Sequence, residues 1–323
     1  MSVRCGYACI SQVMRQDGVF TNRTLRMQTF REKGLDYVKE LVTSNVDDLA
    51  KLIEYNEKNA YRFFRISSEI FPHISNEQLE DLLGDYDIEF MRAKLESIGA
   101  TVRKYGHRIT AHPGQYAQLG TPSPDVLRRT IRDLTHHAMI FHAMGLEPRH
   151  GTVMIIHGGG TYGDKAAALL RWEKSFQALP HEVSKYIALE NDETQYSIVD
   201  LLPLCERNGI PLCVDFFHHA CMFGSYDDLL KDTATLDRVH NTWASRGIKQ
   251  KIHISSQKLG ARVGTHDDYI TPGSLKGILA VCKKWGADVM CECKQKDLCM
   301  QKILDEYFVR EFTGNTFYWK LNI

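Results

Sequence analysis

The sequence predicts an α/β protein, a (β/α)8 TIM barrel filling residues 1–323 as one domain, and three observations carry that reading. Eight short apolar or β-branched runs recur along the chain, at 3–7, 63–66, 108–111, 152–157, 186–190, 212–215, 251–254 and 288–292. Segments with helical punctuation separate them, and strands alternating with helices make a mostly parallel sheet. Eight such units in 323 residues favour a closed barrel over an open doubly wound sheet, because barrels run to roughly 250 residues or more. No GxGxxG follows the first run, which removes the usual dinucleotide-binding alternative.

The elements follow in chain order. The first strand is followed by an unusually long connection at 8–43. After the second strand, Ser75-Asn76-Glu77-Gln78 has the capping-box pattern ahead of Leu79, Leu82 and Leu83. After the third, Ser123-Pro124-Asp125 combines a capping hydroxyl, a first-turn proline and an acid. Leu127, Ile131, Leu134, Ala138 and Phe141 then recur at helical spacing, and Gly145 sits where a helix-ending glycine belongs. Gly209, Gly247 and Gly286 likewise close helical patterns just before strands. The seventh strand leads into a second long connection, 257–271, and long loops on the C-terminal face commonly carry function.

Composition bounds the class. The chain is 43% hydrophobic and 25% charged, which is the make-up of a globular protein able to bury its own core. The first residues lack the charged-then-apolar layout of a signal peptide, and no apolar run approaches the ~18 residues of a membrane span. A cytoplasmic or nuclear protein with no membrane partner is expected. Forty basic and forty acidic residues give zero net charge, which argues mildly against an indiscriminate nucleic-acid binder but leaves room for local basic patches and bound cations. The nine cysteines contain no CxxC pair, so a cysteine zinc site is not expected. Cys291-Glu292-Cys293 would set two thiols on one side of a strand and the carboxylate on the other.

The histidines and acids carry the chemistry. His112 follows the third strand, in His112-Pro113-Gly114-Gln115-Tyr116; His157 ends the fourth, Glu190 the fifth and Asp215 the sixth. His253 lies on the seventh with His266 in the loop beyond, and Glu292 ends the eighth. Strand C-termini of a barrel converge on one face, where active sites sit. Unpaired, these groups would repel one another and lose hydration at great cost, and divalent metals remove that problem. Mixed nitrogen and oxygen ligands suit Mn, Zn or Fe better than Mg or Ca. Each residue alone has a bland explanation: a lone histidine is usually a hydrogen-bonding or half-buried residue, and a strand-end acid is often a helix cap. Accordingly His107, His136, His137, His142, His150, His181 and His240, mid-helix or ahead of strands, receive no metal role. The run of ligand types at successive strand ends is what points to metal.

Five motifs resemble those of the ultraviolet damage endonuclease family: Arg65-Ile-Ser-Ser68, His112-Pro-Gly-Gln-Tyr116, Leu189-Glu-Asn-Asp192, Asp215-x-x-His218-His219 and Lys251-Ile-His253-Ile-Ser255. They occur in the expected order, and the resemblance runs from Gly6-Tyr7 to Glu292-x-Lys294. The family is similar in fold to the barrel-shaped abasic-site endonucleases and, more distantly, to xylose-isomerase-like barrels. The resemblance implies a monomeric DNA repair enzyme that incises damaged double-stranded DNA immediately 5′ to pyrimidine dimers, leaving a 3′ hydroxyl and a 5′ phosphate. It also implies up to three divalent ions, manganese foremost, with zinc or magnesium as alternatives. Glu190 would bridge two ions; His112 and His157 would bind one, Asp215, His253 and Glu292 another, and His218 and His266 the third. Gln115 and Tyr116 would probe the damaged bases, although ordinary loop packing is their bland alternative. Tyr7 would approach the cleaved phosphate.

Where the family pattern leads one to expect a histidine after Ser67-Ser68, this chain reads Phe71-Pro72-His73-Ile74-Ser75-Asn76, so His73 takes the phosphate-contacting role or Asn76 occupies it without an imidazole. Lys251 shares a strand face with His253. Beside metals its amine must be salt-bridged to a site carboxylate, held neutral, or carbamylated by CO2; the salt bridge is the default, and Glu190, Asp215 and Lys251 are the candidate catalytic residues. The segment 298–323 is expected to cap the barrel rather than contact DNA. Rival readings are an abasic-site endonuclease on the same metals, a sugar isomerase or epimerase on the same barrel, and a damage-binding protein with structural metals.

Overall fold

The computed structural model describes residues 3–84, 86–271 and 275–323. Eight strands run parallel: β1 Cys5–Ala8, β2 Phe63–Arg65, β3 Arg108–Thr110, β4 Met154–His157, β5 Ile187–Glu190, β6 Leu212–Asp215, β7 Lys251–Ile254 and β8 Asp288–Cys291. Each overlaps one of the eight expected runs. They pair in the order β3-β2-β1-β8-β7-β6-β5-β4. A parallel bridge between Ala111 and Met154 joins the two ends. The Ala111 N–H donates to Val153 O and the Ile155 N–H to Ala111 O, both at 3.0 Å. The sheet therefore closes on itself and leaves no exposed edge.

Side chains alternate across each strand. One set fills the barrel: Arg108 and Asp288 at the base, then Lys251, Thr110, Phe63 and Met290, then Glu190, His253 and Glu292 toward the C-terminal mouth, all buried. The other set, including Tyr7, Phe64, Ile109, Leu189 and Val214, packs against the surrounding helices in the main apolar core. Gly6 is a consequence of that crowding, because a Cβ there would lie 2.6 Å from the ring and carbonyl of Phe63.

The base is closed by charge. Arg108 sits 3.0 Å from Asp288 and donates to the carbonyls of Gly151, Gln250 and Lys249 at 2.8, 3.1 and 2.8 Å. Asp288 also accepts the Arg4 N–H at 2.9 Å. A buried ion pair survives only when its remaining hydrogen-bonding capacity is met, and here it is. Below lies an antiparallel hairpin, β9 Phe308–Thr313 and β10 Thr316–Leu321. Trp319 Nε1 donates to Asn59 O at 3.0 Å and Arg62 to Phe317 O at 3.1 Å, tying the hairpin to the segment just ahead of β2. Only the hairpin part of 298–323 thus lies at the end opposite the mouth; 298–307 belong to the helix Lys296–Tyr307, which packs against β1 and β8.

Helix punctuation is met at Ser123, whose hydroxyl accepts from Val126 N ahead of the helix Pro124–Ala143. Gly145, Gly209, Gly247 and Gly286 all have positive φ. Two expectations need correction. The connection 8–43 is not a long loop, since a helical segment begins at Met27 and runs to Lys58, broken by a non-helical Gly34. The cap near residue 75 is Asn76, which accepts from Gln78 N, while Ser75 donates to Asp133 at 3.0 Å. Among the described residues no helix is long and apolar enough to cross a membrane.

Candidate metal centre

The register of the barrel brings the ligand types together. Strand pairing sets His157 beside Glu190 and Asp215 beside His253. His112 follows β3 by two residues and Glu292 directly follows β8, so six consecutive strands, β3 to β8, deliver a nitrogen or oxygen donor to the mouth. Glu190 is at the centre and has no solvent exposure. Its two oxygens lie 3.0 Å from His112 Nε2 and 2.6 Å from His253 Nδ1, with His157 Nε2 at 3.9 Å. His253 Nδ1 is also 3.2 Å from Glu292.

Asp215 has a divided task. Oδ1 caps the helix Phe216–Phe223 by accepting from His218 N at 2.9 Å. Oδ2 is buried without a hydrogen-bond partner, as is His253 Nε2. The helix turn returns His218 so that its Nδ1 lies 3.4 Å from Asp215 Oδ2 and 3.7 Å from Glu190. Asn191 fixes the β5–β6 junction, exchanging hydrogen bonds with the backbone of Asp215 at 2.9 Å each. A buried polar atom without a partner is costly, so donors left open here fit an ion.

Among the described residues, three triads of histidine and carboxylate have donor atoms mutually within 4.8 Å: His112, His157 and Glu190; His112, His253 and Glu292; Glu190, Asp215 and His218. The first reproduces the grouping implied by the motifs with Glu190 as the shared ligand. The other two divide the residues differently, placing His218 with Asp215 rather than with His266. His266 stands at the edge, its ring 6.2 Å from that of His218 and its Nδ1 3.1 Å from the Glu292 carbonyl.

The electrostatics are those of crowded carboxylates. Burial would raise Glu190, but His253, His157 and His112 outweigh it and hold the carboxyl well below its usual range. Glu292 is also held well down, by Arg65 and His253 against burial. Burial, reinforced by Glu190 and Glu292, pushes Asp215 up to about 7 against the pull of His218. His218 is raised to about 9, because Asp215, Glu190 and Glu292 outweigh its burial. Both shifts favour the protonated forms, with which a divalent cation would compete. Half-buried His157 and buried His253 are both lowered by desolvation, His253 to about 4, which favours neutral imidazole suited to ligation.

Lys251 lies beneath this cluster, fully buried, with Nζ 3.4 Å from Thr110 Oγ1 and 5.8 Å from the Phe63 ring centroid. The default salt bridge is not formed: among the described residues no carboxylate comes within ion-pairing distance of Lys251. The layer below Glu190 is filled by Phe63, Thr110 and Met290, which offer none. Burial, with Arg65 and Arg108 nearby, lowers this lysine to about 8. Glu292 instead takes its cation from Arg65, a residue seen in the sequence only as part of a motif. Arg65 ends β2 on the inward face, a position readable only once the register is known.

Other expected residues fall in different places. Gln115 and Tyr116 stand exposed on the loop after β3, Tyr116 by 80%. Tyr7 does not reach the mouth. It is on the outward face of β1, completely buried against Phe64 and Tyr61, and its hydroxyl donates to Asn56 at 2.6 Å. The DNA contact expected of it is therefore not available. His73 has both ring nitrogens engaged, Nε2 with Leu25 O at 2.7 Å and Nδ1 with Asn76 at 3.3 Å, and it belongs to no ligand triad among the described residues. The thiols are less scattered than the spacing implies. The helix Lys296–Tyr307 returns Cys299 onto the end of β8, with Sγ 3.4 Å from Cys291 Sγ, and Cys293 completes a buried trio behind Glu292.

Comparison with known proteins agrees with this architecture. A family model described as UV-endonuclease UvdE matches residues 3–316. A putative UV-damage endonuclease of Acanthamoeba polyphaga mimivirus is 39% identical over 308 residues, covering 95% of this chain and 92% of its own. A UV-damage endonuclease of Schizosaccharomyces pombe is 40% identical over 257 residues, 78% of this chain but only 42% of the yeast protein. Among solved structures, SacUVDE superposes with a TM-score of 0.81 at 28% identity, covering 94% of this chain and 98% of that one. Endonuclease IV from Thermus thermophilus shares the fold, with a TM-score of 0.54 at 13% identity over 80% of this chain and 93% of its own.

Proposed function

The chain belongs to the UV-endonuclease UvdE family, and from that premise we propose that it is a metal-dependent endonuclease that nicks duplex DNA immediately 5′ to ultraviolet photoproducts, leaving a 3′ hydroxyl and a 5′ phosphate. The observation that carries this reading is the delivery of His112, His157, Glu190, Asp215, His253 and Glu292 to one buried cluster by six successive strands. In this proposal residues 1–323 work as one unit, acting on damaged DNA as a monomer in the cytoplasm or, in a eukaryotic host, the nucleus.

Up to three divalent ions, Mn2+ foremost, would be held by Glu190 with His112 and His157, by Asp215, His253 and Glu292, and by His218 with His266. Bound there, they supply the activation of water and the positive charge that phosphodiester hydrolysis requires. The protein's own share is to position them. Glu190 presents one oxygen to His112 and the other to His253. Asp215 keeps Oδ2 open by committing Oδ1 to the helix cap. Arg65 holds Glu292 ionised and oriented. Lys251, buried and lowered toward neutrality, is open to addition of CO2 to its free amine, which would give a carbamate anion and release one proton. Gln115 and Tyr116 would meet the lesion, whose weakened stacking makes kinking and extrusion cheap.

The test uses metal-free protein, a labelled duplex bearing one pyrimidine dimer, and added Mn2+. A nick directly 5′ to the dimer, absent from undamaged DNA and abolished by Glu190→Gln, is expected. Full nicking and full metal content in Glu190→Gln would overturn the assignment of the centre. Cleavage of an abasic duplex but not the dimer would transfer the activity to the abasic-site class, and no nick on either would favour a sugar substrate.

A further inference from the structure

Leu259 is 97% exposed, the most exposed large apolar side chain among the described residues. It is not at the end of a slack loop. Gln257 ties the loop together, its amide donating to the carbonyls of Lys258, Ala261 and Arg262 at 3.0, 3.4 and 3.0 Å and its Oε1 accepting from Gly264 N at 2.9 Å. The stem closes through Lys258 N to Thr265 O at 2.8 Å and an antiparallel bridge between Gln257 and His266. A single exposed leucine is common on protein surfaces, but here it shares an ordered loop with the exposed Val263, which makes an apolar tip rather than an isolated side chain.

Its place in the barrel identifies what it meets. The loop follows β7, and in the closed order of strands β7 lies four steps from β3 in either direction. The loops that carry Leu259 and the exposed Tyr116 therefore leave the barrel from opposite sides of the mouth. Val263, 60% exposed, shares the Leu259 loop, and Lys258 and Arg262 flank the tip, Arg262 exposed and Lys258 half-buried with Nζ 3.8 Å from Asp268, an ion pair that a phosphate would have to displace. The same loop ends at His266, at the edge of the cluster. An apolar tip between basic residues is the chemistry of a side chain pressed against stacked bases while its neighbours contact phosphates.

We propose that Leu259 is a duplex-deforming wedge, entering the base stack on the far side of the scissile phosphate from Tyr116, with Lys258 and Arg262 on the flanking phosphates. This rests on the endonuclease reading above. Two prongs from opposite sides of the mouth would bend the DNA over it and present one backbone bond to the centre. The wedge acts on deformation, so its value should disappear when the DNA is already unstacked.

The experiment measures single-turnover nicking by wild type, Leu259→Ala and Leu259→Met on two duplexes, one fully paired around a single pyrimidine dimer and one with the same dimer in an unpaired bubble. Leu259→Ala is expected to slow nicking of the paired duplex by about tenfold or more and to nick the bubble at nearly the wild-type rate, while Leu259→Met keeps most activity on both. Equal rates for Leu259→Ala and wild type on the paired duplex would overturn the wedge alone. Equal losses on both duplexes would also overturn it, placing the residue in the upkeep of the site. Failure of the wild type to nick either duplex would overturn the endonuclease reading itself.

Discussion

Tyr116 combines an aromatic ring, high exposure and a position on the same loop as the candidate ligand His112. Stacking of one base on an aromatic ring is worth about 1–3 kcal/mol, so Tyr116→Ala should weaken binding of a dimer-bearing duplex by about tenfold or more and leave the melting temperature unchanged. Fluorescence anisotropy with labelled duplexes checks this, and undiminished affinity would return Tyr116 to ordinary surface. For Lys251, native intact mass in bicarbonate buffer should show one added CO2 that is absent from Lys251→Met. An unmodified mass across a bicarbonate titration would leave the free, unmodified amine. Residues of this kind are legible in the sequence where the strand end alone places them, as at Glu190 and Asp215. Tyr7 and Arg65 are not, because their roles depend on which strand face turns inward, and a shift of one residue reverses that.

Among the elements, the helix Arg92–Tyr105 makes the sharpest prediction. A Cβ on Gly99 would lie 1.8 Å from the backbone carbonyl oxygen of Met144. Alanine favours helix over glycine by ~1 kcal/mol, but overpacking against rigid backbone costs about 1–3 kcal/mol, so the steric effect should prevail. Gly99→Ala should lower the urea midpoint, and a raised midpoint would mean that the helix shifts freely. Helices with a capping side chain are readable, that of Ser123 above all. The segment from Met27 is not, since Arg26 gives its start no side-chain cap and Gly34 interrupts its periodicity. The gathering of Cys291, Cys293 and Cys299 is equally hidden, because it depends on the turn between β8 and the following helix rather than on local spacing.

At the scale of the whole molecule, eight alternating units are enough to anticipate the barrel, because closure follows from strand number and parallel connection. What no local pattern announces is the underside, where Arg108 and Asp288 seal the interior and the β9–β10 hairpin ties to Asn59 and Arg62 ahead of β2. That seal governs timing. In the proposed reading, the closed base would leave ions and DNA one doorway among the described residues, the mouth, and a duplex lying across it would bar the ions, so metal would load before DNA. Chelator should strip Mn2+ quickly from the free protein and, from a complex with an uncleavable dimer duplex, only as fast as the DNA departs. Identical loss with and without DNA would reveal a second way in. The order of arrivals would then be a property of the barrel's closed floor rather than of any ligand at its mouth.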